Sequence, residues 1–394
     1  QFIRSLAGDS VGRSALAGRS VHPPDAILGK TGLFVKIFGK IIAFLLVVST
    51  LLVLGGGLWG FLTLQTALHQ PLQLQEPTTL EVPPGSTPAG IFAKLERDHV
   101  LEDSAWLRRY WQWQMEGAVL HVGEYALQPE MTAAELLHLL ERGDVLQRHL
   151  TLVEGWNFAQ VRSALRQAER LKQTLPEEWS DAQVMDALDL SGIHPEGRFF
   201  PDTYQYTFGM SDRDLLLRAY QLMEQQLAEA WAERASDLPF DTPYEALIMA
   251  SIVERETGVP SERPEIAGVF TRRMNIGMKL QTDPTVIYGL GADYKGNIRR
   301  RHLTQPTPYN TYVIDGLPPT PIAMPGREAL QAAVNPKPGK SLYFVAKGDG
   351  SHVFSNSLVE HNRAVRQYQL SRRSDYRSSP ASTPAAAAGQ DIAQ

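Results

Sequence analysis

The side chain in this sequence best placed for acid–base chemistry is Glu256, in the run LIMASIVERETG at residues 247–258. That run predicts a helix over residues 244–257, stopped by Gly258 and Pro260. At about 100° per residue, Ile248, Met249, Ile252 and Val253 share one face, and Glu256 projects into the middle of it. Glu254 falls roughly 160° away by the same geometry, which places it and Arg255 toward water. A carboxyl on an apolar face, in the last turn of a helix, holds its proton to higher pH. Desolvation disfavours the charge, and the negative end of the helix dipole pushes the same way. Those are the conditions that make a general acid. They also fit a structural Glu bonded to backbone or to Arg272 or Arg273, and spacing alone does not separate the two.

Other stretches carry polar side chains in unusual density: QTDPTVIYG (residues 281–289), PYNTY (308–312), GLPPTPI (316–322) and HVFSNSLVEHN (352–362). Asp283-Pro284 predicts a turn or cap before an apolar run. Asp283 also offers a second carboxylate, and two carboxylates across a glycosidic bond make a hydrolase. His352 and His361 come with no Cys and no HExxH pattern, so no metal site is expected from them. His352 suits a structural hydrogen bond or a substrate contact instead.

Together with the Glu256 run, these motifs closely resemble the endolytic murein transglycosylase family, the membrane-anchored YceG-like enzymes, over residues 80–370. The resemblance implies a glycan cleft around one catalytic Glu, here Glu256. It marks Gln281, Asp283, Thr285, Tyr309, Asn310 and Thr311 as substrate-binding positions. Asn and Thr hydrogen-bond sugar hydroxyls and acetamido groups, and Tyr stacks as well as donates. Asp283 and Asn310 serve equally well as plain turn caps. The implied reaction cleaves between N-acetylmuramic acid and N-acetylglucosamine in nascent peptidoglycan, forming a 1,6-anhydro end without water or cofactor, and so limits strand length. The implied setting is the outer face of the bacterial inner membrane, with penicillin-binding proteins as neighbours. A muramidase-type hydrolase using Glu256 with Asp283 remains open, as does a membrane-tethered glycan-binding scaffold in which Glu256 is structural.

Composition narrows the classes. The 394 residues carry a formal charge of −5 and no cysteine. With a pI near 6.1 there is no basic field for nucleic acid. Disulfides and thiolate metal sites are excluded. No phosphate-binding glycine loop and no nucleophile elbow occurs.

The positioning elements follow in chain order. Residues 1–32 read as a flexible cytoplasmic tail. Residues 33–64 read as a transmembrane anchor, because the part from 41 to 64 carries no charge and exceeds the roughly 20 residues a span needs. Arg4, Arg13, Arg19, Lys30, Lys36 and Lys40 precede it and no Lys or Arg follows until Lys94. That asymmetry places the N-terminus in the cytoplasm and the rest in the periplasm. Residues 65–79 read as a linker. Residues 80–240 read as a region of strand-helix repeats, because Leu80, Gly85, Ile91 and Leu95 recur at the same spacing as Leu150, Gly155, Val161 and Leu165. That spacing resembles LysM-type modules, and the family resemblance implies a LysM-like subdomain. Trp106 and YWQWQ (110–114) predict core packing, with sugar stacking as the alternative. GRFFPDTY (197–204) predicts hinge packing. Residues 123–127 predict a strand, with a Thr-capped, Gly-stopped helix following. Helices are also expected over 181–190, 212–231, 261–274 and 357–369, and GDGS (348–351) as a hairpin turn. A compact catalytic domain over 241–375 and a disordered tail over 376–394 complete an α+β chain with one membrane helix.

Overall fold

The structure is a computed structural model that describes residues 28–370 except Glu116. Residues 1–27 of the expected N-terminal tail, and the whole C-terminal tail, lie outside these. Helix α1 (Leu28–His69) contains one stretch, Lys36–His69, long and apolar enough to cross a membrane. Leu51, Leu52, Val53 and Leu54 face outward on all sides of it. A stretch of helix apolar all round and exposed calls for apolar surroundings. The helix continues through residues 65–69, where a linker was expected, and Leu68 and Leu72 are buried in the first core. No slack separates the apolar helix from that core.

The repeat is real at the level of elements. Strand β1 (Thr78–Val82), α2 (Pro88–Arg97), α3 (Ala105–Gln114) and β2 (Gly123–Leu127) form one β-α-α-β unit, followed by α4 (Ala133–Arg142). Strand β3 (Arg148–Thr151), α5 (Phe158–Gln167), α6 (Asp181–Ala187) and β4 (Thr203–Tyr206) form the second, followed by α7 (Asp212–Ala232). Each unit's two strands pair antiparallel, Leu80 opposite Tyr125 and Leu150 opposite Tyr204. Gly85 and Gly155 sit at φ +81° and +78°, where a side chain is strained. Two-stranded ribbons are marginal alone. Here helices cover one face of each, with Leu80, Val82, Tyr125 and Leu127 in one core and Tyr204 and Tyr206 in the next. Capping boxes start α4, α5, α6 and α7 at Thr132, Asn157, Ser180 and Ser211, each worth about 1 kcal/mol. In α3 only Leu107 and Trp111 are core, while Trp113 is 77% exposed. Phe199 stacks on Phe158 in the second core, and its neighbour Phe200 enters the third.

The third core is built on α8 (Pro243–Glu256), with α9 (Arg263–Asn275), α10 (Asp283–Leu290) and α12 (Arg327–Val334), and the short α11 (Arg300–Thr304) lies between α10 and α12 in the chain. A hairpin of β5 (Tyr343–Ala346) and β6 (His352–Ser355), then α13 (Leu358–Val365), completes it. Helix α7 enters this core too, through Met223, Leu227 and Ala230, while Leu215, Leu216 and Ala219 belong to the second. Every residue of α8 from Ala246 to Val253 is buried, because α7, α9, α10 and α12 surround it. One-face reasoning therefore fails for Glu254, which was expected in water. Its side chain is 5% exposed and is held by Arg263 at 2.9 Å and by the Gly326 N–H at 3.0 Å. Burial, the largest influence, raises its pKa despite those partners. Helix α9 begins at Arg263 after a 3₁₀ turn, and Asp283-Pro284, expected as a turn or cap, is the first turn of a helix whose N-cap position is Thr282.

Candidate active site

Glu256 is the last residue of α8 and lines a cleft of about 520 Å³. Arg273, Gln281, Asp283 and Tyr312 form the near walls, and the β5–β6 hairpin with α13 contributes Tyr343, Phe344, His352 and His361. The Thr282 hydroxyl donates to Glu256 Oε1. Thr282 is the N-cap position of α10, so the start of one helix meets the end of another.

A threonine knot fixes that contact. The Thr282 N–H donates to Thr311 Oγ1 at 3.0 Å, and the Thr282 carbonyl accepts from the hydroxyls of Thr285 (2.9 Å) and Thr311 (3.3 Å). Gln281 N–H donates to the Thr311 carbonyl at 3.1 Å and is held at φ +50°, a strained value for a side-chain-bearing residue. Thr285 and Thr311 are fully buried, as is Asn310 at 1% exposure. Asn310 ties its own turn, donating to the His302 and Gln305 carbonyls at 3.0 and 2.7 Å and accepting from Tyr312 N–H at 3.0 Å. Tyr309 packs against Tyr288 with ring centroids 4.9 Å apart and bonds Thr320 at 2.9 Å. Of the six positions expected to touch sugar, Gln281 and Asp283 line the cleft. Thr285, Asn310 and Thr311 lie beneath its wall, and Tyr309 does not line it; their polar groups are already engaged. Thr282, Arg273 and Tyr312 were not read as binding residues from the sequence. A Thr directly before Asp-Pro, the usual place of a cap, was the available signal for the first.

Burial pushes the Glu256 carboxyl up to about 7. The Thr282 hydrogen bond opposes this, the charge of Asp283 adds to it, and Arg273 opposes it again. Arg273 is itself pinned, donating to the carbonyls of Leu342 at 2.7 Å and Leu280 at 2.5 Å, with its guanidinium 5.3 Å from the Tyr343 ring centre. Among the described residues it bonds no carboxylate, and it lines the cleft. Tyr312 donates to Asp283 Oδ1 at 2.7 Å. His361 stacks on Tyr343 at 5.1 Å with its Nδ1 unpartnered among the described residues, and burial, then Arg273, lowers its pKa. His352 is committed elsewhere, its backbone N–H and Nδ1 meeting the Glu262 carboxylate at 2.8 and 2.7 Å.

A carboxyl with a raised pKa, on the wall of an open cleft with aromatic and cationic sides, is a candidate acid–base site. The model described as the YceG-like family matches residues 80–367, and the chain belongs to that family. A Bacillus subtilis (strain 168) protein named endolytic murein transglycosylase is 28% identical over 340 residues, covering 82% of this chain and 92% of that protein. A protein of the same name from Streptococcus pneumoniae (serotype 2, strain D39) is 26% identical over 366 residues, or 84% of this chain and 65% of its own length. The crystal structure of a YceG-like protein from Listeria monocytogenes is 28% identical, with a TM-score of 0.47 over 74% of this chain and 99% of that one.

Proposed function

We infer that this chain is a peptidoglycan lytic transglycosylase with Glu256 as its single acid and base. The observation that carries the reading is the Glu256 carboxyl at the end of α8, bonded by Thr282 on the wall of an open cleft, where burial pushes it up to about 7. In the first half-reaction Glu256 donates its proton to the glycosidic oxygen between N-acetylmuramic acid and N-acetylglucosamine. As the C1–O bond breaks, the resulting carboxylate is stabilised by the Thr282 hydroxyl and by Arg273. In the second, that carboxylate takes the proton of the C6 hydroxyl on the same muramic acid while O6 bonds C1. The 1,6-anhydro ring closes, Glu256 is protonated again, and no water is consumed. Gln281 and Asp283 hydrogen-bond the strand, with Asp283 oriented by Tyr312.

Asp283 in the same cleft favours one alternative, a hydrolase that uses both carboxylates. Mass spectrometry of products from uncrosslinked glycan strands separates them, with the full chain in detergent and Glu256→Gln alongside. Anhydro ends lost in the variant support the transglycosylase. Reducing ends carrying oxygen-18 from labelled water would transfer the role to the carboxylate pair. Uncut strands with both proteins would leave only glycan binding.

Helix α1 is the anchor in this reading, with residues before it cytoplasmic and the catalytic half in the periplasm. The Lys and Arg residues clustered before the span support that orientation. The paired β-α-α-β units would serve as LysM-like modules guiding nascent strands toward the cleft, near penicillin-binding proteins that make them.

A further inference from the structure

We propose that the groove between α1 and α3 binds an outer-leaflet phospholipid, one acyl chain along Gly57, Gly60 and Phe61 and the phosphate at Arg109. The groove encloses about 600 Å³ and is lined by those residues with Trp106, Tyr110 and Trp113. Its depth follows from the helix. Gly57 lies about 10 Å along the axis below Leu64, where the apolar stretch ends, so the groove sits within one leaflet. The glycines do not serve close helix packing. A Cβ at Gly57 would meet nothing within 4 Å, and one at Gly60 would meet only the Trp106 ring at 3.8 Å. They leave space, and the aromatic rings gather around it. Trp59 meets Trp106 edge-on at 6.1 Å, and Trp113 is 77% exposed. Trp and Tyr at that level are what a membrane interface selects. The Arg109 guanidinium lines the groove 5.1 Å from the Trp106 ring centre, whereas Arg108 turns away to Glu96 at 3.5 Å. The groove is continuous with the lipid-facing surface of α1, which selects a lipid over any water-soluble occupant.

The proposal rests on the anchor reading and is independent of the chemistry at Glu256. Because the chain has no cysteine, single cysteines can be placed for nitroxide labels: Gln112→Cys in the groove, Leu52→Cys on the span and Glu178→Cys on the distal surface. The labelled full chains go into nanodiscs of phosphatidylcholine and phosphatidylglycerol, and accessibility to oxygen and to a nickel chelate is read. The Leu52 and Gln112 labels should both favour oxygen, the Glu178 label the chelate. A lipid-exposed Leu52 with a water-exposed Gln112 overturns the groove and leaves the anchor standing. Water exposure at both overturns the two together. In native mass spectrometry from the same nanodiscs, Gly60→Leu should retain one phospholipid fewer than wild type, and Arg109→Gln should lose several-fold preference for phosphatidylglycerol. An unchanged lipid count in Gly60→Leu, or a polyprenyl lipid or another protein's span recovered in place of the phospholipid, refutes the assignment.

Discussion

Burial pushes the Glu256 carboxyl up to about 7, so pH should report on it directly. With the acid form active, kcat/KM should fall about tenfold per pH unit above roughly 7. Thr282→Val removes a donor that favours the carboxylate, so the falling limb should move to higher pH as the rate drops. A merely structural threonine would lower the rate and leave the limb in place. Glu256→Gln should cost about 10²- to 10⁴-fold in rate, and Asp283→Asn about tenfold or less; equal losses would point to two working carboxylates. Stability changes with the opposite benefit. Between 4.5 and about 7 the folded chain holds a proton on Glu256 that the unfolded chain has lost. Stability therefore declines as pH rises through that window, and Glu256→Gln should be the more stable protein at pH 8, by at most roughly 3 kcal/mol, with that advantage vanishing near pH 4. Urea denaturation at both pH values measures it. The position of Glu256 on an apolar face could be read from helical spacing. Its bond to Thr282 could not, because the partners lie 26 residues apart and meet only through tertiary packing.

Local elements were legible wherever the chain writes its own caps. Thr132 and Gly143 bound α4 as expected, and the strand at residues 123–127 is in place. What spacing could not reveal was that α8 is enclosed on every side from Ala246 to Val253. A helical wheel assumes one wet face, and Glu254 has none. Arg263 compensates, meeting Glu254 at 2.9 Å, Glu328 at 2.5 Å and Glu154 at 3.4 Å. Removing it leaves Glu254 buried and unpaired, so Arg263→Met should destabilise by about 3–5 kcal/mol, and Glu254→Met on top should recover much of the loss. Chemical denaturation of the two variants tests this. The strained Gln281 is the second element-scale case. Gln281→Gly relieves a backbone cost on the order of 1 kcal/mol, so melting temperature should rise. Catalysis should fall, because the loop presenting Thr282 loses its constraint.

At the scale of the molecule, three cores are joined by more than chain connections. Glu124, 1% exposed on its side chain, meets Arg148 at 2.6 Å and Arg170 at 3.1 Å, linking the first unit to the second. Helix α7 runs through the second and third cores, Arg255 reaches the Gly155 carbonyl at 3.0 Å, and Tyr288 donates to Glu196 at 3.0 Å. Burial, opposed first by the Tyr288 bond, pushes Glu196 up to about 7. This second buried carboxyl makes the joint, like the site, weaker in alkali. The domain boundary read at residue 240 falls after α7 has already entered the third core. Periodicity shows which face of a helix is apolar, not which of two cores each half will meet.

Helix α1 passes into the first core without a hinge, and on the reading above this gives the enzyme a fixed altitude. Glu256 then stands at one height over the bilayer, like a blade clamped to a bench, and a strand is cut where it crosses that plane. A flexible Gly-Ser insert after His69 should leave the cutting of free strands unchanged and broaden the lengths of strands made at the membrane. If those lengths stay as narrow as before, height is not what measures them.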